Sequence, residues 1–291
     1  MKVAVIGAGV VGVATAHALA RDGHEVVVVE RREQAAMESS YGNAGLYSPS
    51  DSYAWASPDA LKMAVRSLFN RDLGIQYKLR LDPALWLWSL KFLGQCTDAA
   101  ARRNSLLKLR LTSYSLEQLK AVVQETGVAF GNRREGLLYY FGTTDGVAAA
   151  DHHMGLLRDH GLDLRVLDRD GVLATEPGLA PIAGEIAGAI HSPDCQTGSS
   201  HLFANAAIRA VVRRLYGDAV DLDRAEHWSG FRPMTPSSVP IMGRTQLANL
   251  FLNVGHGHVG WTMSCGSARF VADIVAGRAP EIDPKGLVLA A

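Results

Sequence analysis

Residues 2–30, KVAVIGAGVVGVATAHALARDGHEVVVVE, decide the fold. A β-branched run at 3–6 predicts a first strand, and a second run, EVVVV at 25–29, predicts another. Between them a glycine turn at 7–12 leads into a helical stretch at 13–21. Two strands joined through a helix predict a βαβ unit, and uninterrupted apolar strands indicate a parallel sheet buried on both faces.

The turn carries the pattern Gly7-x-Gly9-x-x-Gly12. Gly7 permits a tight turn from strand to helix, Gly9 lets a pyrophosphate approach the backbone, and Gly12 lets the helix pack close to the strand. The free N–H groups at the start of the helix then face the phosphates. The residues predicted to bind the nucleotide in this turn are Gly7, Ala8, Gly9, Val10, Val11 and Gly12.

Glu30 ends the second strand, and with the following Arg31 it completes the predicted nucleotide clamp. A carboxylate at this place accepts both ribose hydroxyls of an adenosine and repels a 2′-phosphate, which favours FAD or NAD over NADP. The motif alone does not separate FAD from NAD, although its place at the start of the sequence is typical of flavoproteins. A glycine turn without a ligand is the alternative, and the strand–helix–strand context disfavours it.

Composition limits the remaining function classes. The chain has 291 residues, enough for one large domain or two of ordinary size, and its formal net charge is zero. A neutral balance argues against nucleic-acid binding, which would show as a basic excess. The three cysteines suit a reducing compartment rather than a disulfide framework, and we interpret each as a small buried apolar residue. No metal is expected.

The rest of the chain alternates loops, helices and strands. Residues 39–57 read as an ordered loop, and 58–127 as consecutive helices. Further strands are predicted at 136–141, 185–191 and 249–254, and residues 161–167 lead to a further strand-like stretch. Further helices are predicted at 145–160, 201–216 and 262–276.

The segment DPALWLWSLKFLG, residues 82–94, is apolar and contains Trp86 and Trp88. It is too short to span a membrane, as is every other apolar stretch, and the N-terminus does not have the pattern of a signal peptide. A core helix and a shallow membrane contact are the two interpretations. We favour the core helix, because short apolar helices are usually buried in protein.

Three further segments carry a specific resemblance. They are ESSYGNAG at 38–45 with Ser48 and Pro49; WSGFRPMTP at 228–236 followed by VPIMGR at 239–244; and NVGHGHVGWTMSCG at 253–266. Together they resemble the small subunits of FAD-dependent D-amino-acid dehydrogenases, in the wider family of D-amino-acid oxidase and glycine oxidase. The resemblance implies an α/β fold, with a Rossmann-like FAD-binding domain of the glutathione-reductase type and an α+β substrate domain.

The same resemblance implies which residues bind the flavin. A loop of small residues would line the flavin and its ribityl chain, since such a loop lets the backbone lie against a cofactor. A late loop would pass the edge of the isoalloxazine, and the helix that begins near its end would direct its positive N-terminus at the pyrimidine edge. The first loop comprises Ser40, Asn43, Ala44 and Gly45, and the second comprises Gly257, Val259, Gly260, Trp261 and Thr262.

Arg232 and His256 are the candidate catalytic residues. In the family motif the arginine at the position of Arg232 binds the substrate α-carboxylate, because its planar fork matches a carboxylate with two donors. A surface ion pair is the alternative. His256 and His258 are candidate bases, but we favour the alternative that they fill loop positions and bond to backbone.

The resemblance implies oxidative deamination of D-amino acids. The substrate binds as its free amine, hydride leaves Cα for flavin N5, and the imine is hydrolysed to a 2-oxo acid and ammonia. The implied electron acceptor is a membrane quinone or an electron-transfer protein. The implied location is the cytoplasm or the inner face of the cell membrane, with Trp86 and Trp88 as candidate contacts.

A stretch on the order of a hundred residues, the size of a small domain, is absent near residue 205 relative to the family. HLFANAAIRAVVRRLYG, residues 201–217, nevertheless keeps a helical period across the join. The absent part would supply contacts to the FAD adenosine half and much of the substrate domain's antiparallel sheet. Either the chain is internally deleted or the sequence omits residues.

The predicted domains follow from this interpretation. The FAD-binding domain comprises 1–57, 192–206 and 226–291, and the incomplete substrate or cap domain comprises 58–191 and 207–225. An active dehydrogenase, on D-amino acids or a related secondary amine or imino acid, is the first interpretation, and a truncated, inactive relative with weak or no FAD binding is the second. A nicotinamide-dependent dehydrogenase is disfavoured, because it leaves the SYGNAG and GHGHVGWT segments without a purpose.

Overall fold

Strands β1 (Lys2–Ile6) and β2 (Glu25–Val29) lie side by side and parallel, with helix α1 (Val10–Arg21) between them in the chain. The register runs from Lys2 opposite Glu25 to Ile6 opposite Val29. The predicted βαβ unit is therefore confirmed. The structure is a computed structural model, and it describes residues 1–69, 80–205 and 233–288.

The prediction that this sheet is buried on both faces is wrong. Ile6 is 86% exposed, and Val27 and Val29 are also exposed, whereas Val3, Val5 and Val26 pack into the core. In the described part of the chain the sheet has two strands, and its core face packs with α1 and a helix near the C-terminus. One apolar face of the clamp sheet thus lies in solvent.

Three helices follow as predicted: α2 (Pro58–Phe69), α3 (Pro83–Gln95) and α4 (Asp98–Thr126). Local chemistry sets their ends. The Asp82 side chain accepts the N–H of Ala84 at the start of α3, and Thr97 accepts that of Ala100 at the start of α4. Gly127, in the left-handed conformation with φ of 63°, ends α4.

The core interpretation of α3 is wrong, because no residue of this helix is fully buried. Trp88 faces inward and donates its indole N–H to the carbonyl of Met234 at 3.1 Å. The outward stripe is exposed, with Leu90 at 66%. It consists of Trp86, Leu87, Leu90 and Leu93. Across the ranges that the structure covers, no helix is both long and apolar enough to cross a membrane.

A second sheet follows α4. Its strands are antiparallel in the order β4 (Leu137–Phe141), β6 (Gly188–Ser192), β5 (Arg165–Asp168). Helix α5 (Thr144–Arg158) lies between β4 and β5 in the chain, and α6 (Arg169–Thr175) directly follows β5. The three strands and α5 were predicted within a few residues, whereas α6 was not.

Two short ladders complete the described strands. β3 (Leu46–Tyr47) pairs with β7 (Gln196–Thr197), and β8 (Ile241–Arg244) pairs with β9 (Phe251–Val254). Of these four strands only β9 was predicted. The helix predicted at 201–216 is present as far as residue 205, and the remainder lies outside the described residues.

Helix α7 (Gly260–Val275) forms the centre of the core. It packs against α1 on one side and α4 on the other, with Leu19, Leu111 and Phe270 fully buried among them. Because α4 was assigned to the substrate domain and α7 to the FAD-binding domain, the two predicted domains share this core. Their boundaries stay a prediction. The three cysteines are free and buried, as expected.

A buried ion-pair network ties α1 to α7. Arg269 of α7 donates to Asp22 at 2.9 Å and to Asp273 at 2.9 Å, and Arg278 also donates to Asp273. The hydrogen bond from Arg269 contributes most to lowering the pKa of Asp22, which falls to about 2. Asp22 therefore stays ionised at neutral pH, and its pairs with Arg269 and Arg278 fix the C-terminal end of α1 against α7.

Candidate functional site

The glycine turn has the geometry that the clamp requires. Gly7 has φ of 98° and donates its N–H to Val29 O at 2.8 Å, which joins the turn to the end of β2. A Cβ on Gly12 would lie 1.9 Å from the carbonyl oxygen of Gly7. Glycine at position 12 is therefore required by close packing of α1 on the turn.

Glu30 lies at the mouth of this turn as an ionised carboxylate. It accepts backbone N–H groups from Ala8 at 2.6 Å, Arg31 at 2.7 Å and Arg32 at 3.0 Å. Burial raises its pKa, but these three donors lower it more, and the net pKa lies below the ordinary value. The Arg31 side chain pairs with Glu38 at 2.6 Å, so only its backbone contacts Glu30.

The loop of small residues lies against the start of α1. The hydroxyl of Ser40 accepts the N–H of Val10 at 3.0 Å, and Ser200 donates to the carbonyl of Ser40 at 2.6 Å. The Asn43 amide oxygen accepts the N–H of Gly45 at 2.7 Å, and its nitrogen bonds to Ser200. Ala44 lies between Asn43 and Gly45 and is exposed. These bonds place the loop beside the clamp.

The segment 255–262, called the late segment from here on, also lies near the small-residue loop. Gly257 has φ of 61°, and its N–H donates to Pro233 O at 3.0 Å. Thr262, in the first turn of α7, accepts the N–H of Ser48 through its hydroxyl at 3.1 Å. Val259 caps α7 without a side-chain hydrogen bond, so the N–H groups from Gly260 onward carry the positive end of the helix.

Trp261 does not present its ring as a flavin contact. Its side chain is buried and packs edge-on against Tyr47, with ring centroids 5.0 Å apart, and also against Phe130 and Phe203. A contact from Trp261 to a cofactor would have to come from its backbone.

His256 requires a correction as a candidate base. Its ring is buried, and Nε2 lies 3.0 Å from the hydroxyl of Ser267 inside α7. Burial lowers its pKa to about 4, so the ring is neutral at physiological pH. The structural interpretation fits it better, although its partner is a side chain rather than backbone. His258 is only partly buried and faces Asp51 O at 3.3 Å.

Arg232 and Trp228 lie outside the described residues. The described residues that follow Arg232 in the chain lie against the late segment. Pro233 O accepts the N–H of Gly257, and the backbone of Met234 forms an isolated antiparallel β-bridge with that of His256.

A cluster of buried polar side chains next to the late segment was not predicted from the sequence. It contains Lys108 of α4, which is fully buried, and Asp51, which receives a hydrogen bond from Tyr139 at 3.2 Å. The helical period places Lys108 on the buried stripe with Asn104, Leu111 and Ser115. That signal was available, but lysine in a helical stretch is normally assigned to the surface. Within the described ranges, no three His, Cys, Asp or Glu side chains could hold a metal ion.

The model of one protein family, described as FAD dependent oxidoreductase, matches residues 2–214 and, in a second match, residues 202–274. The chain belongs to this family. FAD dependence and oxidoreductase chemistry, both expected from the sequence, are therefore confirmed.

Curated relatives match along the whole chain. D-amino acid dehydrogenase 2 of Mesorhizobium japonicum is 36% identical, with 99% of this chain and 99% of the relative covered. D-amino acid dehydrogenase of Granulibacter bethesdensis is 30% identical, with 100% and 99% covered. The resemblance to D-amino-acid dehydrogenases is thereby confirmed.

The alignment with the Mesorhizobium protein runs over 413 positions, whereas this chain has 291 residues. More than a hundred positions of the relative therefore have no counterpart. The two matches to the family model meet at residues 202–214, which is where the sequence analysis located the absent stretch.

Solved structures show the same fold at low identity. Glycine oxidase from Geobacillus kaustophilus superposes with a TM-score of 0.63 at 16% identity, with 99% of this chain and 97% of that chain covered. Iminodiacetate oxidase from Chelativorans gives 0.62 at 14% identity over the full length of both chains. The predicted α/β fold of an FAD-binding protein is confirmed.

The clamp residues present in this chain fit FAD. A Cβ at position 12 would close the space between the turn and α1, and glycine leaves α1 at the distance that a Rossmann pyrophosphate site uses. Glu30 is ionised, and since a carboxylate has about four acceptor sites, the three backbone N–H groups leave about one for a ribose hydroxyl. The start of α7 has no side-chain cap competing for its N–H groups.

Proposed function

We propose that this chain uses FAD to oxidise D-amino acids to 2-oxo acids and ammonia. The observation that carries the proposal is the bond between Ser48 N–H and Thr262. It joins the chain just after the small-residue loop to the late segment, more than two hundred residues away, and so brings the two next to each other beside the clamp. The names of the curated relatives support the substrate class.

In this mechanism FAD supplies the acceptor for the hydride that leaves Cα, and water hydrolyses the resulting imine. Glu30 binds a ribose hydroxyl, and the clamp N–H groups bind the pyrophosphate. The positive end of α7 stabilises negative charge that develops beside it. Arg232 orients the substrate by binding its carboxylate, and no side-chain base is required.

Replacing Arg232 tests the substrate contact. Arg232→Ala should raise KM for D-alanine and lower kcat/KM by about 100-fold or more, because a charge-assisted pair to the carboxylate is lost. Steady-state kinetics with each variant measures this. Arg244→Ala, at an exposed position of β8, is the matched control and should leave kcat/KM unchanged. Turnover by the Arg232→Ala protein at an unchanged KM would contradict the assignment.

A second candidate function is favoured by two observations. More than a hundred positions of the Mesorhizobium relative have no counterpart in this chain, and one face of β1–β2 is exposed; both support a loss of neighbouring strands. The substrate pocket would then lack a wall and the adenosine site would be incomplete. In this alternative the chain is an inactive relative that binds FAD weakly or not at all, and the purified protein would be colourless.

The electron acceptor in the proposed function is a quinone in the membrane or an electron-transfer protein. For the membrane route, the outward stripe of α3 supplies an apolar contact with Trp86 at its N-terminal end, and Trp88 faces inward. Among the described residues around α2 and α3, four cations outnumber two acids. The cations are Lys62, Arg66, Arg80 and Lys91, and the acids are Asp59 and Asp82. Arg80 precedes α3 and Lys91 lies within it, and an apolar stripe with cations near it in the chain suits an anionic lipid surface.

Vesicle binding tests this contact. The purified protein should co-sediment with vesicles of phosphatidylglycerol and phosphatidylethanolamine, and the double variant Trp86→Ser, Leu90→Ser should bind about tenfold less, since both side chains leave water on docking. Leu247→Ser, an equally exposed leucine far along the chain, is the control and should bind like wild type. Equal binding of the double variant and wild type would refute the α3 contact.

A further inference from the structure

Lys108 is a fully buried lysine in the middle of α4. Its Nζ donates to Tyr53 O at 2.5 Å and lies 3.5 Å from Nε2 of His258. In the described part of the chain, no carboxylate lies within ion-pair distance of this amine. Its position therefore differs from that of ordinary buried lysines, which are held by an acidic partner.

A buried amine at this position lowers the stability of the fold, because it loses its hydration. Its neighbours on the buried stripe of α4 are neutral, among them Leu111 and Thr112, and an apolar side chain of similar length would avoid the loss of hydration. Burial lowers the pKa of Lys108 to about 7, while Asp51 raises it slightly. Because lysine is present here despite this loss of stability, we expect it to have a role other than filling the core.

The two contacts of Lys108 belong to two different segments. Tyr53 lies in residues 48–55, which begin at Ser48, the residue bonded to Thr262. His258 lies in residues 255–262, which carry the predicted flavin contacts. The two segments also touch without Lys108, since His258 Nε2 lies 3.3 Å from Asp51 O. The Lys108 amine thus lies where segments 48–55 and 255–262 meet, and it contacts both segments.

We propose that Lys108 is a positioning residue that holds segments 48–55 and 255–262 in register for the flavin. The flavin part of this statement rests on the proposed function, whereas the register itself does not. The amine donates to the carbonyl of Tyr53 and contacts the ring of His258, whose centroid lies 5.2 Å from that of Trp55. The backbone around Gly257 is held by the same contact.

Amide hydrogen exchange measures how often the backbone of these two segments opens, and so reports how firmly they are held. Well-placed probes are the amides of Ala54, which donates to Ser105, of Trp55, which donates to Ser238, and of Gly257, which donates to Pro233. Lys108→Met keeps length and volume without the donor. We expect about tenfold faster exchange at these amides, from the loss of one buried hydrogen bond, while the Tm stays at or above that of wild type because a desolvated amine is removed.

Lys120→Met is the matched control, since it makes the same change at an exposed position of the same helix, and it should alter neither segment. Unchanged exchange in both segments of the Lys108→Met protein would overturn the proposal. So would faster exchange throughout the chain in proportion to a lower Tm, because that result describes a purely structural lysine.

A second variant tests the contact between the Lys108 amine and segment 255–262. His258→Phe keeps a ring beside Trp55 but removes the contacts of Nε2 with the amine and with Asp51 O. It should speed exchange in 255–262 more than in 48–55, because Lys108 still donates to the carbonyl of Tyr53. Equal exchange in wild type and His258→Phe would count against the proposal. FAD titration separates the two claims. If wild type binds FAD, Lys108→Met should bind about tenfold more weakly; if wild type binds none, the proposed function fails and the exchange data still decide the register.

Discussion

Gly12→Ala is expected to abolish tight FAD binding, lowering the affinity at least about 100-fold, the scale of loss that a displacement of roughly 1 Å produces in a positioned site. The added Cβ would lie 1.9 Å from the carbonyl oxygen of Gly7, a backbone atom that no side-chain rotation can move away. Helix α1 must therefore shift from the turn, and its N–H groups leave the pyrophosphate. Fluorescence titration of the apoprotein with FAD measures the loss.

Gly94→Ala is the matched control. A Cβ at Gly94, in the last turn of α3, would meet no atom within 4 Å, so this variant should bind FAD like wild type. Wild-type affinity in the Gly12→Ala protein would show that the turn does not form the pyrophosphate site.

Arg269→Met is expected to lower the free energy of unfolding by about 3–5 kcal/mol, because it leaves Asp22 and Asp273 as buried carboxylates without their principal partner. The Arg269 side chain is 5% exposed and donates to both carboxylates, whereas Arg278 is half exposed and compensates only in part. The pKa of Asp22, about 2 with arginine present, should rise towards or above its ordinary value. Urea denaturation measures the change in stability.

The control is Arg165→Met, which removes an exposed arginine paired with exposed Asp163. Surface pairs of this kind contribute little, and no measurable change is expected. Equal midpoints for Arg269→Met and wild type would mean that the network does not hold α1 to α7.

Most helices and the clamp were predictable because local chemistry specifies them. The β-branched run of β2 and the glycine turn left few alternatives, and the side chains of Asp82 and Thr97 mark the starts of α3 and α4. The clamp roles of Gly7, Gly9 and Gly12 are predicted from their spacing within the strand–helix–strand context, and the structure shows the tight turn at Gly7 and the close packing at Gly12.

What could not be predicted depends on residues distant in the chain. The pairing of β3 with β7 joins two-residue strands 150 positions apart, and no periodic signal exists at that length. Whether the strands of the clamp are covered depends on neighbouring strands rather than on their own apolar pattern, and the same reason exposes α3. His256 and His258 are two positions apart, yet one faces Ser267 and the other Asp51.

The most direct test of FAD-dependent D-amino-acid oxidation is the visible absorbance of the purified protein before and after anaerobic addition of D-alanine. We expect a yellow protein whose flavin band is bleached by D-alanine and not by L-alanine, with pyruvate as the product. A colourless protein that gains no flavin band with added FAD, or a yellow protein that D-amino acids leave unchanged, would contradict the proposed function.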